Sequence, residues 1–319
     1  MPLDRHAKRL LEMISAGRGE NAAQPTAEAL RRSMLRLAEV ADARHVPIGR
    51  VEDSTVAGFE GPIGIRIYTP VEADSGPLPC ILYFHGGMGV FCGIATHDGL
   101  CRLLANSSGC RLISVDYRLA PEHPFPAGVD DAVAVTRWVA ENAAQLQIDP
   151  SRLVVAGDSA GGTLAAVVCQ LAVQTGGPQI ALQLLLCPVT DLAEESESRR
   201  AFAQGYFIER ATLTWAKKAY CGEADDADPR VSPLRATSLA GLPPAHIHTA
   251  EFDPMRDEGE AYARRLTAEG ILVRYTCHAG MIHHFYCMAG AIPSARTLLT
   301  SIGAAVRVAV RQDVGEAIR

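Results

Sequence analysis

Four short segments carry side chains whose types and spacing could do acyl-transfer chemistry. Gly157-Asp158-Ser159-Ala160-Gly161 places a serine between small residues, directly after the apolar run Leu153-Val154-Val155-Ala156 and before the helical run 160–175. A serine at a tight strand-to-helix turn is held in strained φ/ψ, and small neighbours two before and two after it let the chain reverse without clashes. That arrangement exposes the hydroxyl at the positive end of a helix, where it can act as a nucleophile. His85-Gly86-Gly87-Met88-Gly89 follows the strand-like run Cys80–Phe84. Consecutive glycines let backbone N–H groups turn toward a ligand, and such donors stabilise a tetrahedral oxyanion; losing one typically costs about 3 kcal/mol. Gly86 and Gly87, together with Ala160, are the expected donors, and His85 is expected to be a structural anchor.

A nucleophilic serine needs a base and an acid that orients it, in the chain order serine, acid, histidine, each in a loop after a later strand. Asp253 follows the run His246-Ile247-His248-Thr249, with Glu251 and Asp257 as competing acids at the strand end and on the next helix. His283 follows the run Val273–Cys277 within Gly280-Met281-Ile282-His283-His284-Phe285, with His284 and His278 as competitors. Asp253 and His283 are the expected pair. Met88 and Phe207 are expected to line the substrate pocket, Met88 by projecting a long flexible side chain beside the oxyanion loop.

The elements that must hold these groups alternate. From residue 46 onward, β-rich runs at Val46–Val56, Gly64–Tyr68, Cys80–Phe84, Cys110–Val115, Leu153–Ala156, Ala181–Cys187, His246–Thr249 and Val273–Thr276 are spaced by helical runs at 97–107, 128–146, 160–175, 255–269 and 293–311. This rhythm predicts an α/β protein with a mostly parallel eight-stranded sheet, helices on both faces and an antiparallel opening pair. Two segments break it. Residues 1–45 carry two amphipathic stretches separated by Gly17-Arg18-Gly19-Glu20-Asn21, and residues 190–222 form an insertion with Phe202, Tyr206, Phe207, Trp215 and Tyr220. Both are expected to roof the sheet as a helical cap over a catalytic domain spanning 46–319.

Composition narrows the classes. A formal net charge of -6, with scattered Lys and Arg, gives no basic footprint for nucleic acid. The longest apolar run, 180–187, falls far short of the ~20 residues a membrane helix needs, and residues 1–9 show no export signal. The nine cysteines include no C-x-x-C pair and no histidine at metal-ligand spacing, which predicts buried thiols in a reducing cytoplasm.

Taken together, His85-Gly86-Gly87, the block Asp116–Ala127, Gly157–Gly162, Asp253–Glu258 and Gly280–His283 resemble the bacterial hormone-sensitive-lipase-like branch of the α/β-hydrolases. The resemblance implies the α/β-hydrolase fold, hydrolysis of small-molecule esters with short acyl chains, no cofactor, a cap from the N-terminal helices and the later insertion, and in many members a homodimer along an edge strand. Two residues depart from the pattern: Met88 stands at the usual third glycine, and His284 replaces a small residue after the catalytic histidine. Asp116, Arg118, Glu122 and His123 are expected to form an internal network beneath the site. Two readings compete with ester hydrolysis: the same triad acting on amides, lactones or in acyl transfer, and a non-catalytic ligand receptor.

Overall fold

In the computed structural model, residues 1–16, 26–73 and 76–311 are described. The Gly17–Asn21 separator lies outside them. The chain forms eight strands: β1 (Arg50–Gly58), β2 (Gly61–Thr69), β3 (Leu78–Phe84), β4 (Arg111–Asp116), β5 (Ile148–Asp158), β6 (Leu182–Leu186), β7 (Ala245–Phe252) and β8 (Val273–Ile282). They assemble in the order β1-β2-β4-β3-β5-β6-β7-β8, antiparallel through β1, β2 and β4 and parallel from β4 to β8.

Strand β3, Leu112, Ile113 and Val115 of β4, Leu153–Gly157 of β5 and the leucines of β6 are buried and apolar, because successive side chains point to opposite faces and both faces are covered. Ile81, Tyr83, Val154, Ala156, Leu184 and Leu186 pack beneath α3 (Asp98–Ser108) and α9 (Pro293–Arg311). Their neighbours Leu82, Phe84, Leu153, Val155 and Leu185 pack on the other face beneath α4 (Ala127–Glu141), α5 (Ala160–Thr175) and α8 (Arg256–Ala268). Each fully buried aliphatic side chain contributes roughly 1.5–3 kcal/mol, so these layers dominate the stability of the platform.

The expected helices fall within a few residues of those observed, except that α4 stops at Glu141. The expected opening strand starts too early: Val46 to Gly49 lie outside β1, with Val46 buried in the core.

Helices α1 (Arg5–Ala16) and α2 (Ala27–Ala41) come from the N-terminal segment, and α6 (Glu197–Ala201) and α7 (Arg210–Cys221) from the insertion. Thr26 caps α2 by accepting from the Ala29 N–H at 3.2 Å. Ala27, Leu30 and Met34 of α2 meet Met88, Val90 and Phe91 of the loop after β3, and Leu213, Trp215 and Tyr220 of α7, in a third apolar cluster. Arg31 ties α2 to the platform, donating to the Val90 carbonyl at 2.9 Å, the Ala120 carbonyl at 3.0 Å and the Glu122 carboxylate at 2.7 and 2.8 Å. The insertion is tied at the opposite end. Arg199 of α6 donates to Glu258 of α8 at 2.7 Å, and Ser198 donates to the Pro254 carbonyl at 2.8 Å. Burial pushes the Glu258 carboxyl up to about 7 against the pull of Arg199. Among the described residues, no helix is long and apolar enough to cross a membrane.

Candidate active site

Ser159 stands between β5 and α5 with φ 53° and ψ -121°, a conformation costly for a residue with a Cβ. The surrounding chain compels it. The Ser159 N–H donates to the Leu186 carbonyl at 2.9 Å, and the Ser159 carbonyl accepts from Thr163 at 3.1 Å and Val189 at 3.2 Å. The flanking glycines are sterically required: a Cβ on Gly161 would lie 1.9 Å from the Phe84 carbonyl oxygen, and one on Gly157 would lie 2.2 Å from the Gly161 carbonyl oxygen. Ala160 begins α5, so its N–H belongs to the first turn, where the helix dipole favours negative charge.

Asp253 and His283 are brought together from the loops after β7 and β8. His283 Nδ1 and Asp253 Oδ2 are 2.8 Å apart, and Asp253 Oδ1 accepts the Met255 N–H at 2.8 Å. Both side chains are essentially buried, at 2% and 0% exposed. Burial pushes the imidazole pKa down, but the Asp253 carboxylate outweighs it, and the net shift is upward. The competitors are engaged elsewhere. Glu251 accepts the Gly280 N–H at 2.7 Å, Asp257 accepts the Ser198 N–H at 2.7 Å, and His278 pairs with His248 at 3.1 Å.

A cavity of about 330 Å³ opens over these groups. Ser159, His283, Gly87, Met88 and Phe207 line it below and at the side, while Met13 and Ile14 of α1 and Leu30, Met34 and Leu37 of α2 roof it. Ser159 and His283, far apart in sequence, therefore share one wall of one apolar chamber, as do the two expected pocket residues.

The loop after β3 departs from expectation at one donor. The Gly86 N–H donates to Asp158 Oδ1 at 2.8 Å, so it is turned into the elbow and away from the cavity. Gly86 has no room for a side chain, since a Cβ would sit 2.3 Å from Asp158 Oδ2. Of the three expected oxyanion donors, Gly86 is thus corrected to an anchoring role, while Gly87 faces the cavity at φ 108°. His85 is the anchor anticipated: fully buried, stacked on Tyr117 with ring centroids 4.3 Å apart, and pushed down to about 4 by burial.

The Asp116–Ala127 block also needs correction. Among the described residues, no ion pair joins any two of Asp116, Arg118, Glu122 and His123. Arg118 instead pairs with Asp131 of α4 at 2.8 Å and with Glu60, and Glu122 pairs with Arg31 of α2. The block braces neighbouring elements because its charged side chains reach away from one another, Arg118 inward to the buried Asp131 and Glu122 across the surface to Arg31.

Sequence reasoning missed a second buried group beneath the elbow. Asp158 Oδ1 accepts from Tyr83 Oη at 2.8 Å as well as from Gly86, and lies 3.1 Å from His97 Nε2; Asp158 Oδ2 lies 3.6 Å from His284 Nδ1. His284 adopts φ 66° and stacks flat on Phe207, with centroids 5.5 Å apart. The one available signal was His284 itself, a bulky residue where a small one is usual.

Comparison with known proteins agrees with this geometry. A family model described as α/β-hydrolase fold matches residues 81–287. An esterase from Mycobacterium tuberculosis, LipI, is 44% identical over 249 residues, covering 77% of this chain and 78% of its own. An ethyl acetate hydrolase from Pseudomonas putida is 35% identical over 293 residues, covering 89% and 92%. Among solved structures, an ester hydrolase from the metagenome of Lake Arreo, complexed with a bipyridine phosphonate derivative, superposes with a TM-score of 0.92 at 41% identity, covering 96% of this chain and 98% of that one. The chain belongs to the α/β-hydrolase family, in its bacterial hormone-sensitive-lipase-like esterase branch. Its activity class is that of a serine carboxylesterase.

Proposed function

We propose that Ser159 is the nucleophile, His283 the general base and Asp253 the orienting acid of an esterase selective for short acyl chains. In this reading the Ser159 Oγ proton passes to His283 as Oγ attacks the ester carbonyl carbon, and the negative charge on the carbonyl oxygen is held by the Gly87 and Ala160 N–H groups. Collapse of the tetrahedral species breaks the bond to the alcohol oxygen, which takes the proton from His283. Water then repeats the cycle on the acyl-enzyme, its proton going to His283 and back to Ser159 as the acid leaves. Asp253 holds the imidazole in the required tautomer throughout. Helices α1 and α2 and the 190–222 insertion act as the cap over this chemistry.

The observation that carries acyl selectivity is the position of Met88. It is 5% exposed, sits at φ 57°, and lines both the large cavity and a second apolar space of about 20 Å³ bounded by Ala160, Tyr117, Val189, Leu192 and Tyr220. The small space, beside Ala160, has room for little more than one methyl-sized group, so longer acyl tails must displace the Met88 side chain, while the large chamber takes the alcohol. Where room exists each added CH₂ contributes about 0.8 kcal/mol, so a closed acyl pocket reverses the rise of kcat/KM with chain length. Across p-nitrophenyl esters from C2 to C12, the optimum is expected between acetyl and butyryl, with esters beyond about eight carbons poor. Met88→Gly is expected to shift the optimum to longer chains, and glycine suits the positive φ. A wild-type optimum at C10 or longer would refute the short pocket; an unchanged optimum in the variant would shift the limit to the cap.

A cytoplasmic location is supported by the thiols, seven of nine buried and all unpaired. A homodimer along the open edge of β8 is the assembly we favour, and light scattering tests it.

A further inference from the structure

We propose that His97, Asp158, His284 and Cys287 form a binding site for one soft divalent cation, Zn²⁺, beneath the nucleophile elbow and separate from the reacting groups. One ligand atom from each of these four residues lies within 4.8 Å of the others, and all four side chains are buried. Two imidazoles, one carboxylate and one thiol are a donor set that Zn²⁺ takes in tetrahedral geometry. Bonds of about 2.0–2.3 Å put neighbouring ligands about 3.3–3.8 Å apart. The 3.6 Å separation from His284 Nδ1 to Asp158 Oδ2 falls within that spacing, and the 3.1 Å from His97 Nε2 to Asp158 Oδ1 is slightly shorter than it.

The contacts at this centre are poorly directed. Asp158 Oδ2 and His97 Nε2 are buried and make no well-aligned hydrogen bond among the described residues, held only by the ion-pair contacts of 3.6 Å to His284 Nδ1 and 3.1 Å to Asp158 Oδ1. A cation between them would replace those contacts with directed bonds. The outer contacts suit a metal as well. Thr96 Oγ donates to the Gly93 carbonyl at 2.8 Å and stands 2.9 Å from His97 Nδ1, so Nδ1–H donates to Thr96 and Nε2 is left to bear a lone pair or a second proton toward the carboxylate. The other Asp158 oxygen is fixed by Tyr83 and Gly86. Ligating histidines and carboxylates are normally oriented by such second contacts.

Binding would displace the Cys287 thiol proton to solvent, and one thiolate with one carboxylate balances the charge of the ion. Because His284 lines the large cavity, the ion has a path from solvent. Bound there, it would fasten together the 3₁₀ turn at Ile94–His97, the elbow and the loop that carries His283. A second trio, Cys187, Asp253 and His283, also clusters, but both Asp253 oxygens are already hydrogen-bonded.

The test uses the full chain stripped with a chelator, with Co²⁺ as the spectroscopic probe and Zn²⁺ as competitor. The expected result is one Co²⁺ per chain with a thiolate-to-cobalt charge-transfer band, displaced stoichiometrically by Zn²⁺. The melting temperature should rise by about 4 °C at a hundredfold excess over Kd. Cys287→Ala should abolish the band, His284→Gly should weaken binding at least about tenfold, and Cys187→Ala should keep the band. Circular dichroism in chelator checks that each variant folds, and His284→Gly fits the positive φ at that position. Absence of the band in wild type would overturn the site and leave His97–Asp158 a plain buried ion pair. Loss of the band in Cys187→Ala with retention in Cys287→Ala would overturn it in favour of the triad cluster.

Discussion

Two buried aspartates flank Ser159, each paired with histidine, and they are built for different work. Asp253 spends one oxygen on the Met255 N–H and the other on His283, whose ring lines the cavity beside Ser159. Asp158 lies one residue before the serine and gathers Tyr83, Gly86, His97 and His284 around it. The residue types are nearly the same on both sides. His283 and His284 both line the chamber; what separates the two groups is that, among the described residues, Asp253 pairs with His283 alone, at 2.8 Å, whereas Asp158 is shared among the loop after β3, Tyr83 and two imidazoles and holds them in place. On the proposed mechanism the same ion-pair chemistry is a catalytic device on one side and a brace on the other, decided by how many partners share the carboxylate.

The comparison breaks most visibly at the histidines. His283→Ala is expected to reduce kcat by about 10⁴–10⁶, the scale seen when a triad base is removed, whereas His284→Ala should reduce it by less than about tenfold if it only braces. Equal losses in steady-state ester turnover would mean the base is misassigned.

The aspartates should separate next, by which property they change. Asp253→Asn is expected to lower kcat by about 10⁴ with little change in melting temperature, because the amide stabilises the wrong tautomer and cannot support the imidazolium. Asp158→Asn should instead lower stability by about 1–3 kcal/mol, since its buried partners lose a charged acceptor. Paired kinetics and thermal melts check this; a larger kcat loss in Asp158→Asn than in Asp253→Asn would reverse the two roles.

The smallest effect is in pH dependence. Burial lowers the His283 pKa but Asp253 raises it further, so the acid limb of kcat/KM should fall above the ordinary histidine value of 6.5. The sign for stability is opposite. A histidine whose folded pKa is raised stabilises the fold fully below its unfolded pKa and loses that contribution as pH rises through the folded pKa. Activity should therefore rise over the window in which this contribution fades. A pH–rate profile in chelator-treated buffer with an acid limb well below 6.5 would show that Asp253 does not dominate the site.

Much of this was readable from local pattern. The elbow was legible because its glycines, apolar strand and following helix are contiguous, and the sheet because buried parallel strands are unbroken apolar runs. Chain order pointed to Asp253 and His283, which the fold brings to 2.8 Å of each other. The brace was not, since Asp158 contacts Gly86 across 72 residues and His284 lies still farther along the chain. Nor could spacing reveal that the Gly86 N–H is already spent, because a glycine-rich loop has the same sequence whether its amide faces the cavity or the elbow. The opening strand was drawn too early because Val46 is buried, and burial alone does not distinguish a strand from a packed loop.

Covalent trapping tests the central claim most directly. The protein is mixed with p-nitrophenyl acetate, quenched within one turnover and digested for mass spectrometry. An acetyl group on the peptide containing Ser159, absent from Ser159→Ala and accumulating in His283→Ala only very slowly, is the result this structure predicts. Acetylation mapped to another residue, or hydrolysis by Ser159→Ala above a few per cent of wild type, would contradict it.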